Sequence, residues 1–186
     1  GVLLPVFFGV GAGTHTKKYW EQYTVGAIDQ AEWIALEARM TRSPGTCNTM
    51  GTASTMTSIV EAMGLTLPGS TSIPAMDAAH SRMAWVCGQR AVEMVWEDLR
   101  PSRLITRASF LNAVATWMAL GGSTNAAVHL PAMAARAGVT LGLDDFDAIA
   151  QRVPVITNLF PSGDRLMEDF HYAGGVPALL NRIASV

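Results

Sequence analysis

Charged residues are scarce in this chain: 13 Lys+Arg and 15 Asp+Glu make up 15% of its 186 residues, against about 25% in an average soluble domain. With 49% hydrophobic residues and a net charge of −2, that scarcity excludes intrinsic disorder, which needs low hydrophobicity and high net charge. It also leaves no basic footprint for nucleic acid or an anionic lipid surface. Cysteine is scarcer still. Cys47 and Cys87 are too few for a disulfide framework and lack zinc-site spacing. His15, His80, His129 and His171 form no HxxxH pair, and no GxSxG elbow, GK[ST] loop or HExxH motif is present.

Long apolar runs are missing too. No formal charge occurs between Ala108 and Ala135, yet Ser109, Asn112, Thr116, Gly121, Gly122, Asn125 and Pro131 interrupt that stretch. A membrane-spanning helix needs about 20 predominantly apolar residues, so the expectation is backbone buried by protein rather than lipid. The opening GVLLPVFFGV lacks the basic flank and small-residue cleavage site of a secretory signal. The chain also lacks a starting Met. It is expected to be part of a longer polypeptide whose other segments cover its apolar faces.

What is present is helical pattern. A short buried strand is expected over Val2–Val10, followed by glycines 9, 11 and 13. These resemble a dinucleotide fingerprint only superficially, because Thr14 stands where a helix-opening motif would continue. Helices are expected over Ile28–Met40 and Asn48–Met63, the latter stopped by Gly64, with a loop over Leu65–Pro74 turning at Pro68-Gly69. A long helix follows, Asp77–Leu99, with Asp77 as N-cap and Met83, Cys87, Ala91 and Met94 as an apolar stripe that packs Cys87 in the core. Arg107–Leu120 is capped by Thr106 and ended by Gly121-Gly122. Further helices are expected over Ser123–Ala137, despite Pro131, and over Asp144–Gln151. A brief strand over Val153–Thr157 and short helices over Arg165–Tyr172 and Pro177–Ile183 complete the pattern. Helices dominate with a few buried, parallel strands, so the expected class is α/β.

Cys47 is the most informative candidate for chemistry. It sits in GTCNTMGTASTM after a Pro-Gly break, at an expected helix N-terminus, where free N–H groups and the macrodipole stabilise negative charge. The small residues after it would admit a bulky group close to the backbone. Asp144, Asp145 and Asp147 fall at a helix start and are assigned to capping. Glu168-Asp169 is expected on a solvated face.

In order along the chain, GTCNTMGTASTM, GLTLPGSTSIPA, LRPSRLITRASF, ALGGSTNAAVHL, LDDFDAIAQRVPVI, PSG and MEDFHYAGGVPALL resemble the dihydroxy-acid and sugar-acid dehydratase family. The resemblance runs from about Gly11 to Ile183, and the Lys18-Tyr19-Trp20 and Cys-Asn-Thr-Met forms look like the sugar-acid (aldonate) branch. It implies a cytoplasmic hydro-lyase that dehydrates a 2,3-dihydroxy sugar acid to a 2-keto-3-deoxy acid, with a small-molecule substrate and a dimeric or tetrameric full-length protein. It also implies an iron–sulfur cluster, 2Fe–2S or 4Fe–4S, held by three cysteines and acting as Lewis acid on the departing hydroxyl. A nearby Mg²⁺ grips the substrate, and a serine serves as base. Only Cys47 matches a ligand position, the last of the three cysteines; Cys87 matches none. The other ligands and the serine would lie outside these residues, so the 186 residues are expected to be one incomplete part of the N-terminal, cluster-binding domain, inactive alone. The blocks Ser72–Ala75 and Gly121–Ala126 are expected to line or support the site. Pro131 departs from the leucine-like residue usual in its helix. The alternatives are a branched-chain dihydroxy-acid dehydratase, a non-catalytic packing or oligomerisation module derived from such an enzyme, and a nucleotide binder using Gly9–Gly13.

Overall fold

A computed structural model describes residues 14–40 and 44–185; the strand expected over Val2–Val10 and the Gly9–Gly13 turn lie outside them. Ten helices follow one another among the described residues: α1 (Thr14–Thr24), α2 (Gln30–Met40), α3 (Thr52–Ala62), α4 (Ala78–Trp96), α5 (Pro101–Leu104), α6 (Arg107–Leu120), α7 (Ala126–Arg136), α8 (Leu143–Ala150), α9 (Met167–Tyr172) and α10 (Gly175–Ile183). The helix-rich half of the α/β expectation is what the structure shows. Extended pairing among the described residues includes an isolated bridge between Leu159 and Arg165. No described helix is long and apolar enough to cross a membrane.

The centre of the fold is α6. Its N-terminus is fixed by a reciprocal cap: Ser109 N–H donates to Thr106 Oγ1 at 3.2 Å, and Thr106 N–H donates to Ser109 Oγ at 2.9 Å. Gly121 ends it in the left-handed region, φ 54°, where a glycine pays no Cβ penalty. Between these ends the helix is apolar around most of its circumference and packs on α3, α7, α8 and α10. Phe110, Ala113, Val114, Ala119 and Leu120 are almost wholly buried. They join Ile59 of α3, Leu130 of α7, Phe146 of α8 and Val176 of α10 in one core cluster. Trp117 meets Phe146 edge-on at 5.4 Å between ring centroids. Outside that contact, Arg107 bridges from α6 to Asp145 at the start of α8.

Several elements depart from the expectation, each for a local reason. α3 begins at Thr52 rather than Asn48, because Asn48 and Met50 hydrogen-bond to distant backbone instead of to a helical turn. Val153–Thr157 is not a strand. Ile156 N–H donates to Ala119 O, and Thr157 Oγ1 donates to Leu120 O, so the segment covers the C-terminal carbonyls of α6. α1 is an unexpected helix whose Trp20 meets Trp33 of α2 edge-on at 5.4 Å and whose Tyr23 stacks on it at 5.6 Å; its polar and aromatic sequence hid the helical period. Pro131 remains inside α7. Asp144 sits in the first turn of α8, whose N-cap is Gly142; Asp145 accepts the Gly142 N–H at 2.9 Å. Cys87 is only half-buried and does not join the core, because α4 buries none of its residues.

Candidate functional site

Cys47 lies on a turn that precedes α3, not within the helix. Its Sγ is 3.2 Å from Thr49 Oγ1. A side chain at Gly51, the N-cap of α3, would come within 3.9 Å of the same sulfur. The thiol therefore sits beside the first turn of α3, which no side chain caps. Cys47 is half-buried, and the absence of a side chain at Gly51 leaves a methyl-sized space beside its sulfur.

The turn is held by residues far away in sequence. Met50 N–H donates to Phe160 O at 2.8 Å, and Met167 N–H donates to Asn48 O at 3.1 Å. Asn48 Oδ1 accepts from Glu168 N–H at 2.9 Å, so the side chain next to the cysteine caps the first turn of α9. Asn48 is 2% exposed, yet its Nδ2 has no hydrogen-bond partner among the described residues. A buried donor left unmade costs about 1–3 kcal/mol. Ser54 Oγ closes the turn from within by donating to Thr49 O at 2.8 Å.

The Gly121–Ala126 block abuts the same helix end. Ser123 N–H donates to Thr55 Oγ1 at 2.9 Å, Thr52 Oγ1 is 3.0 Å from Ser123 Oγ, and Asn125 Nδ2 donates to Thr52 Oγ1 at 2.7 Å. Gly122 permits this approach: a Cβ there would stand 2.9 Å from both Thr55 Cγ2 and Trp117 Cδ1. The block thus supports the start of α3 rather than presenting side chains beside the sulfur.

The Ser72–Ala75 block reaches the site through α9. Buried Ser72 has its Oγ 3.1 Å from His171 Nδ1. A side chain on Gly175 would approach that oxygen to 2.7 Å, so glycine is required beside it. Tyr172 Oη donates to Asp77 Oδ2 at 3.4 Å. Desolvation pushes the Tyr172 phenol above its usual value, and the negative charges of Asp77 and Glu168 push it further in the same direction. Upstream, Glu61 pins the loop before Ser72 by accepting from Gly69 N–H, Thr71 N–H and Thr71 Oγ1 at 2.5, 3.1 and 2.5 Å. α9 is therefore the hub, with the cysteine turn at one end and the Ser72 loop at the other.

Sequence reasoning singled out Cys47 but missed Asn48, the α9 backbone and the Ser72–His171 pair, since each acts through a partner remote in sequence. It placed Glu168-Asp169 on a solvated face. Asp169 is exposed but caps Leu166 N–H at 2.8 Å, and Glu168 is half-buried. Among the described residues no three His, Cys, Asp or Glu side chains converge as a metal-binding group. The turn fits an anionic sulfur-containing group: it presents one half-buried cysteine, a hydroxyl beside it, a glycine in place of a side chain at 51 and a buried amide donor without an acceptor among the described residues.

Residues 4–186 match the family described as dihydroxy-acid/6-phosphogluconate dehydratase N-terminal. The chain is 60% identical over 173 residues to the 6-deoxy-6-sulfo-D-gluconate dehydratase of Pseudomonas putida, covering 93% of this chain and 30% of that protein. It is 52% identical to the L-arabinonate dehydratase of Rhizobium leguminosarum (94% of this chain, 30% of that protein). Against the dihydroxy-acid dehydratase of Caldicellulosiruptor bescii the identity is 42% (96% of this chain, 31% of that protein). The chain spans about a third of the length of these curated relatives.

Proposed function

The chain belongs to the dihydroxy-acid/6-phosphogluconate dehydratase family, and we propose that it is part of a hydro-lyase that dehydrates a sugar acid. The substrate class is a 2,3-dihydroxy carboxylate of the aldonate type, and the product is its 2-keto-3-deoxy acid. The higher identity to the sulfogluconate and arabinonate enzymes than to the dihydroxy-acid dehydratase favours the sugar-acid branch.

The observation that carries this reading is the fixed, half-buried Cys47 thiol on a turn tied to α9. Cys47 supplies one thiolate ligand to an iron–sulfur cluster, the other cysteines coming from elsewhere in the complete protein. When bound, the cluster supplies Lewis acidity at the departing hydroxyl, which leaves poorly without charge stabilisation. Mg²⁺, in the same reading, binds the carboxylate end through residues outside this chain. The chain's own part is positional. The Asn48 and Met50 backbone bonds fix where the sulfur stands, the Thr49 hydroxyl lies within hydrogen-bond distance of it, and Gly51 places no side chain against it. The Gly121–Ala126 block braces the start of α3 behind the turn.

In the complete protein, Cys47→Ser is expected to abolish cluster assembly and turnover, measured as iron and sulfide content together with 2-keto acid formation. Normal iron content and activity in that variant would overturn the reading. A wild-type complete protein that binds no iron and forms no 2-keto acid would instead support the non-catalytic packing module, which the exposed apolar residues of α4 favour. The complete protein is further proposed to be a cytoplasmic homo-oligomer, testable by fractionation and by sedimentation.

A further inference from the structure

The amide of Asn48 is oriented by its own hydrogen bond. Because Oδ1 accepts from Glu168 N–H at 2.9 Å, rotating the amide by half a turn would set its NH2 against an N–H donor, so the group left over is the donor Nδ2. That donor is buried, without an acceptor among the described residues, on the residue following Cys47. Its neighbours on the turn are already engaged: Cys47 Sγ with Thr49 Oγ1, Thr49 O with Ser54, and Asn48 O with Met167. Buried donors in native proteins are almost always paired. The acceptor therefore belongs to whatever group completes the site. A sulfur-rich anionic cluster held at Cys47 brings such acceptors in its sulfides and thiolates, and hydrogen bonds to those sulfurs help set a cluster's reduction potential.

We propose that Asn48 Nδ2 donates a hydrogen bond to a sulfur of the cluster bound at Cys47, so that this asparagine both seats the cysteine turn on α9 and tunes the cluster. The inference rests on the reading of Cys47 as a cluster ligand. Its two roles separate chemically. Asn48→Asp keeps an oxygen for Glu168 N–H but removes the donor and adds a negative charge, whereas Asn48→Ala removes both.

The test uses the complete holoprotein. In wild type labelled with 15N at asparagine side chains, pulsed EPR of the dithionite-reduced cluster should show a 15N coupling that disappears in Asn48→Asp. The same variant should have a more negative midpoint potential and bind iron roughly 10–100-fold more weakly in chelator competition. A wild-type cluster without asparagine 15N coupling overturns the proposal while leaving Cys47 as a ligand. So does an Asn48→Asp cluster with unchanged potential and iron affinity. A wild-type protein that assembles no iron–sulfur cluster overturns both readings. The wild-type spectrum decides the matter even where a variant fails to fold.

Discussion

α6 and α4 are both side-chain-capped helices, yet they lie at opposite extremes of burial. α6 buries Ser109, Phe110, Ala113, Val114, Thr116, Trp117, Ala119 and Leu120, whereas no residue of the longer α4 is buried. Their caps are equivalent in kind: Thr106 holds Ser109 N–H, and Asp77 holds Ala79 N–H at 2.7 Å. What differs is the surroundings. Four helices pack against α6. α4 presents Trp85 at 66%, Val95 at 75% and Trp96 at 85% exposure. On its half-buried side, Met83, Cys87, Arg90 and Met94 repeat at helical spacing, so apolar side chains occupy two faces. Arg90 meets Glu97 and Glu93 along the helix, and its hydrogen bond to Glu97 holds that carboxyl below its usual value. The lesson is that a cap and a helical sequence specify a helix, while neighbours decide whether it becomes core.

The largest expected effect falls on α6. Phe110→Ala removes a side chain that is 1% exposed and should destabilise the protein by about 3–5 kcal/mol, read from the midpoint of urea unfolding. A loss below about 1 kcal/mol would break the contrast, because α6 would then not be the packed centre.

A smaller effect, confined to acid, is expected where α6 meets α8. The Gly142 N–H, aided by the Arg107 guanidinium, holds the Asp145 carboxyl below its ordinary value of 3.8. A folded value below the unfolded one means the contribution is fully present above the unfolded value and is lost as pH falls through the folded one. Wild type should therefore lose this contribution below about pH 4, and Asp145→Asn should flatten that acid limb of the stability curve. Parallel curves for the two proteins would remove Asp145 from the acid response.

The smallest effect belongs to α4. Trp85→Ala should change the stability of the 186-residue chain by no more than about 0.5 kcal/mol, as for an exposed site. A cost of several kcal/mol for the same substitution in the complete protein would sharpen the comparison, by showing that other segments cover α4 there.

Much of the fold was legible because its signals are local. Thr106, Gly121, Asp77 and Gly64 marked helix ends at or within a few residues of where they occur, since capping bonds and positive φ act over one turn. The position of Cys47 was less legible. Asn48–Gly51 has a helical look, but its polar groups are taken by backbone near 160 and 167, and nothing local in the sequence announces those partners. Val153–Thr157 has strand-like residues, yet it finds the open carbonyls of α6 instead of a second strand.

The sequence by itself determined the helical segments, most of their ends and the one thiol with a family-like setting, because turn chemistry and residue pattern act between neighbours. Only the tertiary structure decided that α6 is buried and α4 is not. It alone seated Asn48 on α9, since that hydrogen bond joins residues 120 positions apart, and no local propensity encodes such a meeting.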